Sequence, residues 1–548
     1  MIKHNENGIC LIKKRSGRLR FALALLVAFV FLSVFSKNSF LYPMNDWVDE
    51  NCFFTVARSV LDGRVLYLDI CEQKGPIVYF VFALAALVSR TSFIGVFIIE
   101  LLCFAAFLYA GDQCVRLYRT KLALSSSAAV MVLLAFSIST SLSFSHGGSV
   151  EELSLFMLCF SMLFVLRAIK TGEPVKNREA ALIGFFAGIA FWSKFTIMGF
   201  FLGLCLFVAV HLIKQRAFAR LAKYAAAFLI GFSAVTIPVL IYFALNNALG
   251  AMAETYFYNN IVLYPSKGSG SAVRRLLSPV VNFVMCAAAG LATNGFCTLL
   301  LAFGAYYLVK FAKKRRNEAL AVCFSVIPLA ATTFIGGHLY APYYALIIAF
   351  CAPLGAAAVL SCFQKSIKGS RRAAPRAVMV ALAAVVLILV GMPLSRNTRL
   401  LFYNRDDMPQ YRFAKIIAQK KGATMLNYGF LDGGFYFAAE NTPKYKYFCE
   451  LNVKLDEMYA EQRRYIEARE VDFVVTRGEA LDELELDCSG YELVDTASFI
   501  FESREFVYRL YALKEAQTGA EQPHQPAAPQ RMPMMLVSGS TFSISTPV

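Results

Sequence analysis

The stretch RAVMVALAAVVLILVGMPL, residues 376–394, decides the fold. After Arg376 it carries no charge, and at about 1.5 Å of rise per residue it reaches nearly 30 Å, the depth of a bilayer's hydrocarbon. No water is present there to satisfy a bare backbone, so the segment reads as a transmembrane helix. On its N-terminal side stand Lys365, Lys368, Arg371, Arg372 and Arg376, the basic flank of a helix end that faces the cytoplasm. On its other side, beyond Arg396, the composition turns to mixed charge. One stretch therefore marks a span, its direction and the start of a second kind of domain.

Ten further apolar stretches lie upstream, at 20–37, 92–115, 121–143, 150–168, 180–195, 197–213, 222–246, 293–310, 318–336 and 340–362. Of the 548 residues 58% are apolar and only 17% charged, with a mean hydropathy of +0.54. A soluble chain needs more polar surface than that. The net charge of +17 sits in short basic segments between spans rather than as a stripe on a soluble fold, which excludes nucleic acid as a partner. The fold class expected is an all-α polytopic bundle of about eleven transmembrane helices plus interfacial helices, with a small C-terminal extracytoplasmic α/β domain.

Charge settles the topology. Lys13, Lys14, Arg15, Arg18 and Arg20 hold the N-terminus in the cytoplasm. The two short apolar runs 76–89 and 277–291 are read as interfacial, because only then do all later basic clusters, from Arg116/Arg119/Lys121 to Lys310–Arg316, face the same side. The predicted layout is a basic cytoplasmic N-terminus at 1–19, a membrane domain at 20–395 whose first outer loop is 38–91, an extracytoplasmic α/β domain at 396–514 and a disordered tail at 515–548. Within 396–514, residues 408–420 and 456–469 read as helices and 471–476 and 505–513 as strands. No small-residue cleavage site follows the first apolar run, so no cleaved signal peptide is expected. The expected location is the plasma membrane, with the lipid bilayer itself a partner.

The first outer loop reads NDWVDENCFFTVARSVLDG from Asn45 to Gly63. Phe53, Val56, Ala57, Val60 and Leu61 recur at helical spacing, which predicts an amphipathic helix over 49–62 lying on the outer surface, ended by Gly63. Asp49 and Glu50 stand at its N-terminus, where the helix dipole favours a carboxylate. Tyr67, Asp69 and Glu72-Gln73-Lys74-Gly75-Pro76 follow. Asp49 is either a plain helix cap or a base set beside the cation of Lys74.

These residues resemble the first external loop of GT-C-type glycosyltransferases, in the branch of family 39 that includes protein O-mannosyltransferases and the lipid A aminoarabinose transferase. His146-Gly147-Gly148-Ser149-Val150-Glu151-Glu152 resembles that branch's Gly-Gly-x-x-Glu-Glu loop. The resemblance covers the spans and fades in the C-terminal domain. It implies a hexosyl or pentosyl transferase that takes a monosaccharide from a polyprenyl-phosphate carrier and passes it, with inversion, to a lipid, protein or cell-wall acceptor outside. Asp49 matches the family's first-loop aspartate and so implies the general base that takes the acceptor proton. Glu50 then supports it, and Asp46 is the lesser candidate. Lys74 implies a cation for the leaving phosphate, with Lys194, Arg274 and Arg275 as further phosphate ligands.

Each assignment has a plainer rival. Lys194 is equally a snorkelling lysine, and Arg274 and Arg275 equally meet anionic headgroups. Glu151 either contacts sugar and acceptor or joins Asp49 on a metal. Tyr67, Asp69, His338 and Tyr344 are assigned to substrate, although Tyr343 and Tyr344 also suit an aromatic belt, and the spacing around His338 departs from the family pattern. No cofactor is expected, since the carboxylates do not form a convincing ligand set. Most cysteines read as small core residues; Cys52, Cys71, Cys449 and Cys488 fall outside, as thiols or disulfides. The competing function is a multi-pass transporter or lipid-linked saccharide flippase, which paired repeats and midplane charges would mark. No repeat is visible.

Overall fold

The computed structural model describes residues 6–119, 122–264, 272–311, 313–334, 342–363, 373–501 and 504–514. The apolar stretches fold as helices because Leu, Val, Ile, Ala and Phe dominate them and every backbone group finds its partner within the segment. In chain order these are α1 (Glu6–Phe35), α2 (Val48–Leu61), α3 (Pro76–Val88), α4 (Ile94–Tyr118), α5 (Leu124–Ser139), α6 (Val150–Thr171), α7 (Asn177–Ser193), α8 (Met198–Lys214), α9 (Phe218–Leu245), α10 (Leu249–Met252), α11 (Ala272–Thr293), α12 (Phe296–Lys310), α13 (Arg316–Phe334), α14 (Ala352–Phe363) and α15 (Ala373–Gly391). A π-helical segment, Ala253–Leu263, follows α10, and a 3-10 segment, Pro342–Cys351, precedes α14.

Eight helices among the described residues are long and apolar enough to cross a membrane. A ninth forms if Phe283–Thr293 and Phe296–Lys310, which meet at 110°, count as one broken span. The 277–291 run is thus the later part of α11, leading into that bend. Helices α5 and α7, at 16 and 17 residues, fall just short of the same length.

Beyond α15 the chain builds a small α/β domain: α16 (Pro409–Ile417), β1 (Met425–Tyr428), α17 (Phe435–Ala438), α18 (Asp456–Glu467), β2 (Phe473–Arg477), β3 (Tyr491–Phe501) and β4 (Arg504–Leu513). Sheet order is β1-β2-β4-β3. β1 and β2 run parallel, Met425 opposite Phe473, and the crossover that a parallel pair requires contains α17 and α18. β2–β4 and β4–β3 are antiparallel, with Phe473 opposite Ala512 and Phe499 opposite Phe506. The tail 515–548 lies outside the described residues.

This domain changes the setting of α2. The sequence predicts an amphipathic helix on the outer surface, yet all residues from Asp49 to Ser59 are buried. The reason is a second partner for its polar face. Thr55 donates to Asp432 at 2.7 Å, and Arg58 donates to the Tyr436 and Asn441 carbonyls at 3.0 Å each. Phe437 stacks on Phe93 with ring centroids 4.4 Å apart. α2 is therefore enclosed between the spans and the C-terminal domain.

Candidate active site

Four separate elements bring charge to one place. Asp49 lies in the first turn of α2, where the helix dipole favours its anion. Lys74 precedes Gly75 and Pro76, and Pro76 opens α3 with the fixed backbone angle that suits a first helical position. Lys194 ends α7, at the break before α8. Glu151 lies in the first turn of α6, whose cap is the Ser149 hydroxyl accepting from the Glu152 N–H at 3.2 Å.

The Lys74 Nζ stands 3.3 Å from Asp49 Oδ2, and the Tyr343 hydroxyl donates to the same oxygen at 3.3 Å. Lys194 donates to Glu151 Oε1, and its Nζ sits 3.4 Å from the centroid of the Tyr344 ring, a cation–π contact. Tyr343 and Tyr344, with ring centroids 4.6 Å apart, thus stand between two part-buried ion pairs. Burial works against the Lys74 ammonium, but Asp49 and Glu72 outweigh it and hold its pKa well above the usual lysine value. Two cations and two carboxylates this poorly hydrated interact far more strongly than they would in water.

What aligns the two lysines is the absence of a side chain between them. The Gly75 N–H donates to the Ser193 carbonyl at 3.2 Å. A Cβ at Gly75 would lie 2.6 Å from the Trp192 carbonyl carbon and 2.7 Å from the Ser193 oxygen. Beside this junction opens a cavity of about 240 Å³ lined by Lys74, Lys194, Tyr256, Asn260, Tyr264, Thr333 and Tyr344, among others. The Thr333 hydroxyl is buried without a hydrogen-bond partner.

Behind Asp49 lie two further polar clusters. Lys37 pairs with Asp46 at 2.5 Å and its Nζ lies 3.3 Å from His146 Nδ1, which must accept and so is the unprotonated nitrogen. The His146 ring stacks on Trp47 at 4.6 Å, and Trp47 meets Tyr343 edge-on at 5.2 Å. The other cluster is acidic. Gly147 and Gly148, with φ of +92° and +73°, adopt a left-handed path open to glycine, and this brings Glu50, Glu100 and Glu152 against one turn of backbone. Glu100 accepts from Ser36 at 2.7 Å, Glu152 accepts from the Gly148 N–H at 2.9 Å, and Asn45 donates to Glu50. Burial first, and then the neighbouring Glu100, push the Glu50 carboxyl well above its usual range.

Of the residues singled out from sequence, Asp49, Lys74, Glu151, Lys194 and Tyr344 come together. Glu50 turns into the acidic cluster, and Asp46 is engaged by Lys37. Tyr67 is buried, stacks on Phe243 at 5.5 Å and gives its hydroxyl to the Lys74 carbonyl, so it shapes the lysine's loop. Asp69 caps its own turn, accepting from the Val65 N–H at 2.7 Å. Arg274 and Arg275 fall in the first turn of α11, and His338 lies outside the described residues. Sequence reading missed Tyr343 as the partner of Asp49, and Asn260 and Thr333 in the cavity wall; the adjacent amides Asn259-Asn260 in an apolar loop were the available signal. Among the described residues, no three His, Cys, Asp or Glu side chains gather as a metal-binding set.

The fold is similar to that of ArnT from Cupriavidus metallidurans bound to undecaprenyl phosphate, with a TM-score of 0.55 at 14% identity over 90% of this chain and 97% of that one. The apo state of ArnT from the same organism gives 0.54 at 13% identity over 91% and 98%. The expected helical bundle with a small C-terminal α/β domain is thus the fold the chain adopts, and ArnT shares it. No protein-family model and no curated protein matches the chain.

Proposed function

We propose that this protein is a membrane glycosyltransferase that moves a monosaccharide from a polyprenyl-phosphate carrier to a hydroxyl-bearing acceptor on the outer face, inverting the anomeric carbon. The observation that carries the reading is the pair of part-buried lysines, Lys74 and Lys194, that line one cavity, with Lys74 paired to the Asp49 carboxylate. The likeness in fold to a protein solved with undecaprenyl phosphate supports the choice of donor.

In this reading the donor phosphate enters between Lys74 and Lys194. The acceptor oxygen attacks C1 as its proton passes to Asp49, and the C1–phosphate bond breaks with its electrons on the phosphate. The lysines stabilise that growing charge most because the site is nearly dry. Each lysine starts in an ion pair with a carboxylate, so an arriving phosphate competes for Lys74 and frees Asp49 Oδ2 to take a proton. Tyr343 holds that carboxylate in place. The Lys37–Asp46 pair is structural here, and Glu50, its carboxyl pushed above the usual range by burial and Glu100, supports α2 rather than the reacting atoms. Residues 20–395 carry the chemistry and 396–514 enclose α2 from the outer side of a plasma membrane, with the N-terminus in the cytoplasm. The acceptor is a lipid, a protein or a cell-wall polymer.

Membranes supplied with radiolabelled polyprenyl-phosphate sugar test the reading. Asp49→Asn keeps the shape and removes the base, so turnover should fall by about 10²–10⁴-fold while donor binding persists. Full activity in that variant would remove Asp49 from the mechanism.

A further inference from the structure

Cys52 and Cys449 are 397 positions apart in the chain, yet their sulfur atoms lie 3.8 Å apart. Cys52 sits on α2, one turn after Asp49. Cys449 belongs to the segment between α17 and α18, and it is held from both sides: the Asn427 N–H donates to the Phe448 carbonyl at 3.2 Å and the Glu450 N–H to the Phe430 carbonyl at 3.0 Å. The thiols are 1% and 0% exposed. They sit in the same interface as the Thr55–Asp432 and Arg58 hydrogen bonds, so both partners are fixed. The charge pattern that orients the spans puts both segments outside, where disulfides form and persist.

We propose that Cys52 and Cys449 form a disulfide that fastens the C-terminal domain to the helix bearing Asp49. Each thiol gives up a proton and an electron, and the two electrons reduce the disulfide of a thiol–disulfide oxidant to two thiols. Closing the bond takes the sulfurs from 3.8 Å to roughly 2.05 Å. Burial holds both thiols above their usual pKa once the domain is seated, and the thiolate is the attacking form. The bond therefore forms as the domain docks, before the pair is sealed from the oxidant. A cross-link closing so long a loop removes a large share of unfolded-state freedom.

The test reads thiols in the full chain within its native membrane. Membranes are quenched in acid, denatured, alkylated with light N-ethylmaleimide, reduced, and alkylated again with the heavy reagent. Mass spectrometry should find heavy label on Cys52 and Cys449, light label on Cys103 in α4, and a linked Cys52–Cys449 peptide in an unreduced digest. In Cys449→Ser, Cys52 should switch to light label. Light label on both residues of the wild type, or a linkage from either one to another cysteine, overturns the proposal. As a second measure, dithiothreitol should lower the Tm of the wild type by several degrees and leave Cys52→Ser/Cys449→Ser unmoved; an equal response in the two proteins overturns the fastening role. Neither readout uses sugar transfer, so failure here and failure of the transferase reading are distinguishable.

Discussion

Replacing Gly75 with alanine tests whether the spacing of the two lysines drives the chemistry. The added methyl would collide first with the Trp192 carbonyl oxygen and would stand 2.6 Å from its carbon, against an ordinary contact of 3.4–4 Å, a shortfall of at least about 0.8 Å. The obstacle is backbone at the end of α7, which has no rotamer to change, so α3 and α7 must part by about that distance. The Gly75–Ser193 hydrogen bond, now 3.2 Å, then stretches to about 4 Å and is lost, a cost of roughly 1–3 kcal/mol for a buried backbone group. Lys74 moves with α3 and Lys194 with α7. A displacement approaching 1 Å in a reacting constellation costs about 10²-fold, so kcat should fall to about a hundredth in the transfer assay, with the protein still present in the membrane. Gly250→Ala is the control, since a Cβ there meets nothing within 4 Å. A Gly75→Ala protein whose kcat stays within about threefold of wild type would refute the argument that this junction sets the site.

Three further expectations concern charge. Asp46→Ala strands the buried Lys37 ammonium and should destabilise the protein by about 3–5 kcal/mol, whereas Lys37→Met/Asp46→Leu should recover most of it; a double variant no better than the single one in thermal unfolding would contradict a structural role. The Glu50 carboxyl, buried beside Glu100 and near Lys37, titrates above its usual range. A raised folded pKa means that its contribution is complete below about pH 4.3, the unfolded value, and is lost as pH rises through the folded one. Glu50→Gln should therefore flatten the decline in Tm on the alkaline side, and an unchanged profile would count against a protonated Glu50. Finally, a cysteine at exposed Lys415 should react with an impermeant maleimide on intact cells, and one at exposed Arg220 only after permeabilisation; the reverse pattern would invert the topology.

The spans were legible because each needs about twenty apolar residues and leaves basic residues on one side, a signal that survives without any tertiary knowledge. In the C-terminal domain α16, α18, β2 and β4 coincide with segments whose periodicity showed. β1 is only four residues long, and β3 runs along the sheet edge with Glu492, Leu493 and Val494 exposed in succession, which breaks the period of two, so neither stood out. Asp49 and Lys74 were visible because a carboxylate at a helix start and a lysine before Gly-Pro are local patterns. The Tyr343–Asp49 contact joins positions 294 apart, and no spacing rule reaches that far. The burial of α2 was misjudged for the same reason: its polar face looked solvent-bound until Asp432, Tyr436 and Asn441 supplied its hydrogen bonds.

That burial bears on how the chain divides. A protein cut after α15 would strip the cover from Thr55 and Arg58, leave a guanidinium and a hydroxyl facing a void, and loosen the helix that positions the carboxylate at 49. The soluble-looking C-terminal domain is then no detachable appendage. Lesions around Asp432 should register as lost turnover, and the two parts have to be handled, expressed and inherited as one unit.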